Sequence, residues 1–158
     1  EPVTGLMDGR PMFLRTPDSK FTLANFMRTH LYSAMAALKI GADLLFEGEK
    51  VELDELYGHG GYYIYPGVGQ KITAAALGTP VSVMKTAGEG GPYGMALLAC
   101  YLINGNGETL DEFLANKVFK NAECITVEPD EETVTGFSRY VELYKAGLEA
   151  EKSACTVK

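Results

Sequence analysis

The sequence predicts an α/β layered domain, and three observations carry that prediction. Short apolar runs of strand length alternate with longer segments whose apolar residues recur at spacings of three and four. Twice, a strand run leads through a glycine cluster into a helical pattern. Apolar residues make up 46% of the 158 positions and charged residues 22%, enough for one domain with a sizeable core. No internal repeat, long linker or low-complexity tract divides the chain, so residues 1–158 read as a single domain.

The elements follow in order. Residues 1–20 hold three prolines and two glycines around one apolar run, Pro11–Leu14, which reads as a short strand or an extended segment between turns. Leu23, Phe26, Met27, Leu31, Ala34, Met35, Leu38, Ala42 and Leu45 then form one helix face. Thr22 is its N-cap, Gly48 its stop, and the helix spans about 22–47. Val51, Leu53 and Leu56 suggest a short strand, or a strand preceded by a helical turn. "GVGQKITAAAL" at 67–77 is an alanine-rich helix closed by Gly78 and Pro80. Pro80–Met84 is a buried-strand candidate. After a second glycine cluster at 87–94, Met95–Ile103 is apolar on every side, so that helix is expected to be buried. "NGNGE" is a turn, Leu110–Val118 a short amphipathic helix and Cys124–Val127 a strand. Asp130 caps a last helix, to about Ala154, whose stripe is Val134, Phe137, Val141, Tyr144 and Leu148.

Composition narrows the function classes. The formal net charge is -7 and the 14 Lys and Arg are scattered, so neither nucleic acid nor an anionic membrane surface is an expected partner. No run of about 18 apolar residues exists to make a spanning helix. Three separated cysteines, none in CxxC, fit a reducing cytoplasm better than a disulfide framework. With only His30 and His59 beside them, a Cys/His zinc site is not expected. "EPDEE" at 128–132 has the acidity of a metal site, but it also suits the first turn of the last helix, where the dipole favours carboxylates. His30 reads as a packing residue on the first helix.

The chemistry concentrates in "YGHGGYYIYPGVGQ", residues 57–70, and "AGEGGPYG", residues 87–94. Glycine lets backbone N–H groups approach a ligand closely, and the helix that follows adds unpaired donors and a positive partial charge. Together these suit a phosphate or the ribose end of a nucleotide. Neither cluster is GxxxxGK[ST] or GxGxxG, since Tyr93 stands where the latter needs glycine. On pattern alone, each loop reads equally as a tight turn or as a ligand cradle. Tyr62, Tyr63 and Tyr65 could stack on a base or cover a loop core. His59 reads first as a surface loop residue, and Glu89 as a carboxylate favoured by a helix N-terminus.

Three ordered segments, "LANFMRTHLYSAMAALKIG", "GHGGYYIYPGVGQKITAAALGTPVSVM" and "TAGEGGPYGMALLACYL", resemble the C-terminal domain of the FGGY family of carbohydrate kinases, in its xylulokinase- and ribulokinase-like branch. The resemblance is strongest over 22–104. It implies an actin-like, ribonuclease-H-like fold, in which ATP with Mg²⁺ lies in a cleft between two domains and gives its γ-phosphoryl group to a sugar hydroxyl. It implies nucleotide contacts at Gly58, Gly60 and Gly61, with Tyr62 and Tyr65 toward the base, and a mostly structural role for Gly88–Gly91. His59 interrupts the family's glycine run, and tyrosines fill its later positions. No segment matches the family's sugar-contacting N-terminal domain or its catalytic aspartate and Gly-Thr phosphate loop. The expectation is therefore an ATP-side kinase segment, inactive alone, whose partners are ATP, a small sugar such as the ketopentose xylulose, and an N-terminal kinase domain. An apolar face awaiting that domain, and a homodimer formed through it, are further expectations. The alternative is a stand-alone nucleotide-binding or regulatory module without catalysis, or a structural domain whose glycines serve only as turns.

Overall fold

The computed structural model describes residues 4–157. Residues 1–3 and 158, among them the start of the N-terminal turn segment, lie outside the described residues. Helix α1 runs Leu23–Asp43 and continues through one wider, π-type turn, Leu44–Gly48. It starts where expected because the Thr22 side chain accepts from the Asn25 N–H at 3.2 Å. Strand β1 is Leu56–Tyr57, helix α2 Val68–Leu77 and strand β2 Val81–Met84. Helix α3 is Gly90–Asn104. Helix α4, Leu110–Phe113, again relaxes into a π-type turn, Leu114–Val118. Strand β3 is Cys124–Val127, and helix α5 is Glu131–Ala154, capped by the Asp130 carboxylate on the Thr133 N–H at 3.0 Å.

The sheet has the order β1-β2-β3. β1 runs parallel to β2 (Leu56 opposite Val81, Tyr57 opposite Ser82), and β3 runs antiparallel to β2 (Met84 opposite Cys124, Val81 opposite Val127). The α2 crossover makes the parallel pair possible. Helices α1, α2 and α5 pack on one another around Ala36, Ala75, Ala76, Phe137 and Val141. Alanines on two of the three helices leave room for the Phe137 ring, which is 1% exposed and meets Tyr32 at 5.1 Å between centroids. Burying such a ring contributes about 1.5–3 kcal/mol. Ser82, fully buried in β2, satisfies its hydroxyl on the Glu55 carboxylate and on the Thr126 hydroxyl, the latter at 2.6 Å.

The structure decides one expectation and corrects two. Pro11–Leu14 forms no strand and is the irregular one of the two readings: it is held by the Arg10 N–H on Glu151 Oε1 (3.0 Å) and by Phe13 packing on Phe21 and Phe26. The strand suggested at 51–56 shortens to Leu56–Tyr57, because only these residues reach a partner in the four-residue β2. Helix α3 starts at Gly90 rather than Met95, and none of its residues is buried. Met95, Leu102 and Ile103 are 70–85% exposed. An apolar composition asks for cover, but the helical layer is built on α2, and these α3 side chains stand open.

The seam between the glycine loops as a candidate ligand site

Both glycine loops leave the sheet at the same edge, because β1 and β2 are parallel and each loop follows the carboxyl end of its strand. Crevices outside such ends are where open α/β sheets hold ligands. The first loop leaves β1 through Gly58, whose N–H donates to the Ser82 carbonyl at 2.8 Å. Gly60 then takes φ +92°, ψ -176°, a conformation that only glycine adopts without strain. The Gly60 N–H donates to the carbonyl oxygen of Ala87 in the second loop, 2.7 Å away. A helical turn, Gly61–Tyr63, follows. The second loop, Thr86–Glu89, turns tightly into α3. There His59 lies so close to Gly90 that a Cβ on Gly90 would stand 2.8 Å from the His59 Cβ. The two loops therefore make one seam.

The five residues expected to contact a nucleotide fall into different settings. Gly58 is buried, and the Tyr63 ring occupies the space where a Cβ on it would be, at 2.6 Å. Gly60 and Gly61 face open space: no atom stands within 4 Å of a Cβ built on either. Tyr62 is half-buried against α1. Its hydroxyl donates to the Leu31 carbonyl at 3.2 Å, its ring meets Tyr63 edge-on at 5.5 Å, and burial pushes its hydroxyl up to about 12. Tyr65 is 74% exposed, so its ring is free to cover a ligand. Tyr63 is anchored inward by its hydroxyl on Thr73 Oγ1 at 3.1 Å.

The amino end of α2 is closed to a ligand. The Tyr65 carbonyl receives the Val68 N–H at 3.3 Å, and Gln70 Oε1 accepts the Gly67 N–H at 3.3 Å. Gln70, 3% exposed, also donates from Nε2 to the Val81 carbonyl (3.0 Å) and the Ile125 carbonyl (2.6 Å), tying α2 to β2 and β3. The sequence reading passed over Gln70. A lone amide in an alanine-rich helix was the available signal. At the amino end of α3, Glu89 precedes the helix and makes no capping bond with its side chain.

The sequence reading also missed a cleft beside the seam. Lys85, after β2, and Lys117 and Lys120, after α4, converge on its wall. In this fold the carboxyl end of β2 meets the amino end of β3, so segments far apart in sequence share one edge. Among the described residues no group of three or more His, Cys, Asp or Glu could hold a metal ion; "EPDEE" instead supplies the α5 cap and first turn. His30 packs on Phe26, with ring centroids 4.7 Å apart. None of the described helices is long and apolar enough to cross a membrane.

The model of the FGGY family of carbohydrate kinases, C-terminal domain, matches residues 2–103. The chain belongs to the FGGY family of carbohydrate kinases. The matched part of this FGGY domain takes in α1, both glycine loops, α2, the β1–β2 pair and α3 to its penultimate residue, while α4, β3 and α5 lie beyond it. The family places the chain among phosphotransferases that act on sugars, and its actin-like α/β architecture agrees with helices layered on a small mixed sheet. No curated protein and no solved structure matches the chain significantly.

Proposed function

We propose that this FGGY domain supplies the nucleotide side of an ATP-dependent sugar kinase, with a ketopentose such as xylulose as the acceptor. The observation that carries this reading is the seam itself. Gly60 and Gly61 present bare backbone at the carboxyl edge of a parallel strand pair, and among the described residues, their chain neighbours aside, no atom stands within 4 Å of a Cβ built on either. Gly60 needs glycine for its φ, but Gly61 has neither a positive φ nor a neighbour that demands one. A ligand passing close to its backbone accounts for a glycine there.

In this reading Gly58 sets the loop on β2, and Gly60 and Gly61 lie along the ribose and α-phosphate. Tyr65 covers the base, and Tyr62, anchored on Leu31, holds the loop from behind. ATP supplies the transferable γ-phosphoryl group. Mg²⁺ travels with the nucleotide's phosphates. Phosphoryl transfer rests on positioning and on electrostatics across a closed cleft. The sugar contacts and the general base are assigned to a further, N-terminal kinase domain, which closes over the seam.

Calorimetric titration of the chain with ATP tests the reading, with Gly61→Val as the decisive variant. The added side chain meets no protein atom near its Cβ, so the variant folds. The expected result is ATP binding that falls at least about tenfold in the variant. Unchanged affinity removes the seam as the site. Sugar-dependent ADP release by the chain alone would overturn the division of labour.

A further inference from the structure

We infer that the cleft between α3 and the α4 arm is a second ligand site, built for a small amphiphile with an anionic head. It has two contiguous halves that share Met84, Tyr93 and Phe119. One half, about 500 Å³, is walled by Leu97 and Leu98 of α3 and by Leu110 and Leu114 of the α4 arm. The other, about 550 Å³, carries Lys85, Lys117 and Lys120, with Asn116 and Asn121 beside them and Glu123 as its one carboxylate. Each half lies within the size range of small-molecule sites, and a few polar groups set beside an apolar wall are how such sites orient a ligand.

The charge pattern selects the head group. The chain as a whole carries -7, yet three lysines meet here against one lining carboxylate. Lys85 pairs with Glu123 and Lys117 with Glu108 at 2.8 Å, on partly to fully open surface. Exposed pairs of this kind are weak and exchange readily for a better anion. Among the described residues no such pair engages Lys120. An anionic head held by Lys85 and Lys120 leaves an aromatic or acyl body to lie between Leu98 and Leu114, on the far side of Tyr93. From the first glycine loop only His59 reaches the cleft, so the site adjoins the proposed nucleotide seam without using Gly60 or Gly61.

The test uses 1-naphthyl phosphate, followed by calorimetry against inorganic phosphate and 1-naphthol. The expected order puts naphthyl phosphate at least about tenfold tighter than either half-molecule. Lys85→Ala/Lys120→Ala and, separately, Leu98→Gln should each weaken it severalfold, whereas Lys145→Ala/Lys152→Ala on α5 should leave it unchanged. All of these positions are exposed, so the variants fold. Equal binding of naphthol, or indifference to the Lys85 and Lys120 changes, overturns the site. Displacement by ATP in the natural chain, lost in Gly61→Val, would make the cleft part of the nucleotide seam and overturn its independence. If naphthyl phosphate binds in this pattern and ATP does not bind at all, the nucleotide reading fails and the cleft stands.

Discussion

The backbone N–H of Gly60 donates to the carbonyl oxygen of Ala87 across 2.7 Å, and this bond joins two loops that the sequence keeps apart. The positive φ of Gly60 then turns the chain after this bond into the helical turn Gly61–Tyr63. With Gly58 bonded to Ser82, the first glycine loop is fastened once to β2 and once to the second loop before its helical turn begins. A loop fixed in this way has its shape before any ligand arrives, which lowers the ordering cost of binding.

The glycines around this seam should respond very differently to a methyl group. A Cβ on Gly69 would stand 2.3 Å from the Tyr62 carbonyl oxygen, a backbone atom that cannot move without shifting the loop. The usual gain of about 0.5–1 kcal/mol for replacing a helical glycine by alanine is therefore outweighed. Gly69→Ala should destabilise by about 1–3 kcal/mol, the cost of overpacking. Gly61→Ala, with no atom in range, should change stability by less than about 0.5 kcal/mol. Urea midpoints of the two variants check this; equal midpoints would mean that the loop is not fastened against α2.

Gln70 should matter more than any other polar side chain of α2. Its amide nitrogen serves the carbonyls of Val81 and Ile125, and its oxygen serves the Gly67 N–H. Gln70→Leu keeps the volume but strands the buried Val81 carbonyl, at a penalty of about 1–3 kcal/mol, and the part-buried Ile125 carbonyl and Gly67 N–H, at less where water reaches them. A loss of about 2–4 kcal/mol is expected, with faster hydrogen exchange at the Gly67 amide. A loss under about 0.5 kcal/mol would show that the strands do not depend on this tie.

What could be read from the sequence was local. Thr22 and Asp130 cap their helices through bonds spanning three residues, so residue type and position sufficed. Glycine loops between strand and helix were legible for the same reason, although only the parallel pairing of β1 with β2 brings them to one edge. The exposure of α3 was not legible, because apolar composition records what a helix needs and not what covers it. Nor was the inward turn of Tyr62, set by a carbonyl on α1, distinguishable from the outward turn of Tyr65. The lysine cleft depends on antiparallel β3 returning Glu123 beside Lys85, a tertiary fact with no local trace.

Tyr62 ties the loop to α1 in a way that alkaline pH should reveal. Burial raises its hydroxyl from 10.0 to about 12 in the folded chain. A raised value means that the unfolded chain releases the proton first as pH climbs. The stability is fully present below pH 10 and is lost as pH rises from 10 toward 12. Tyr62→Phe should be weaker at neutral pH by about 0.5–1.5 kcal/mol, the worth of the bond to Leu31. It should also lose less stability above pH 10. Parallel curves for the two proteins would mean that Tyr62 ionises freely.

Asp130 gives the opposite sign at the acid end. Its bonds from the Thr133 hydroxyl, at 2.6 Å, and from the Thr133 N–H, at 3.0 Å, hold its carboxyl below the ordinary value of 3.8. A depressed value means that the unfolded chain takes up the proton first as pH falls. The cap's contribution is therefore present above about pH 4–5 and is lost as pH drops through the folded value. Asp130→Asn keeps an oxygen to accept the Thr133 N–H but cannot titrate. Between pH 5 and pH 2 its stability should fall less steeply than that of the natural chain, because one of the carboxylates that drive acid unfolding is gone. Urea midpoints at a series of pH values measure the difference. The cap does not lean on charge if the two slopes coincide.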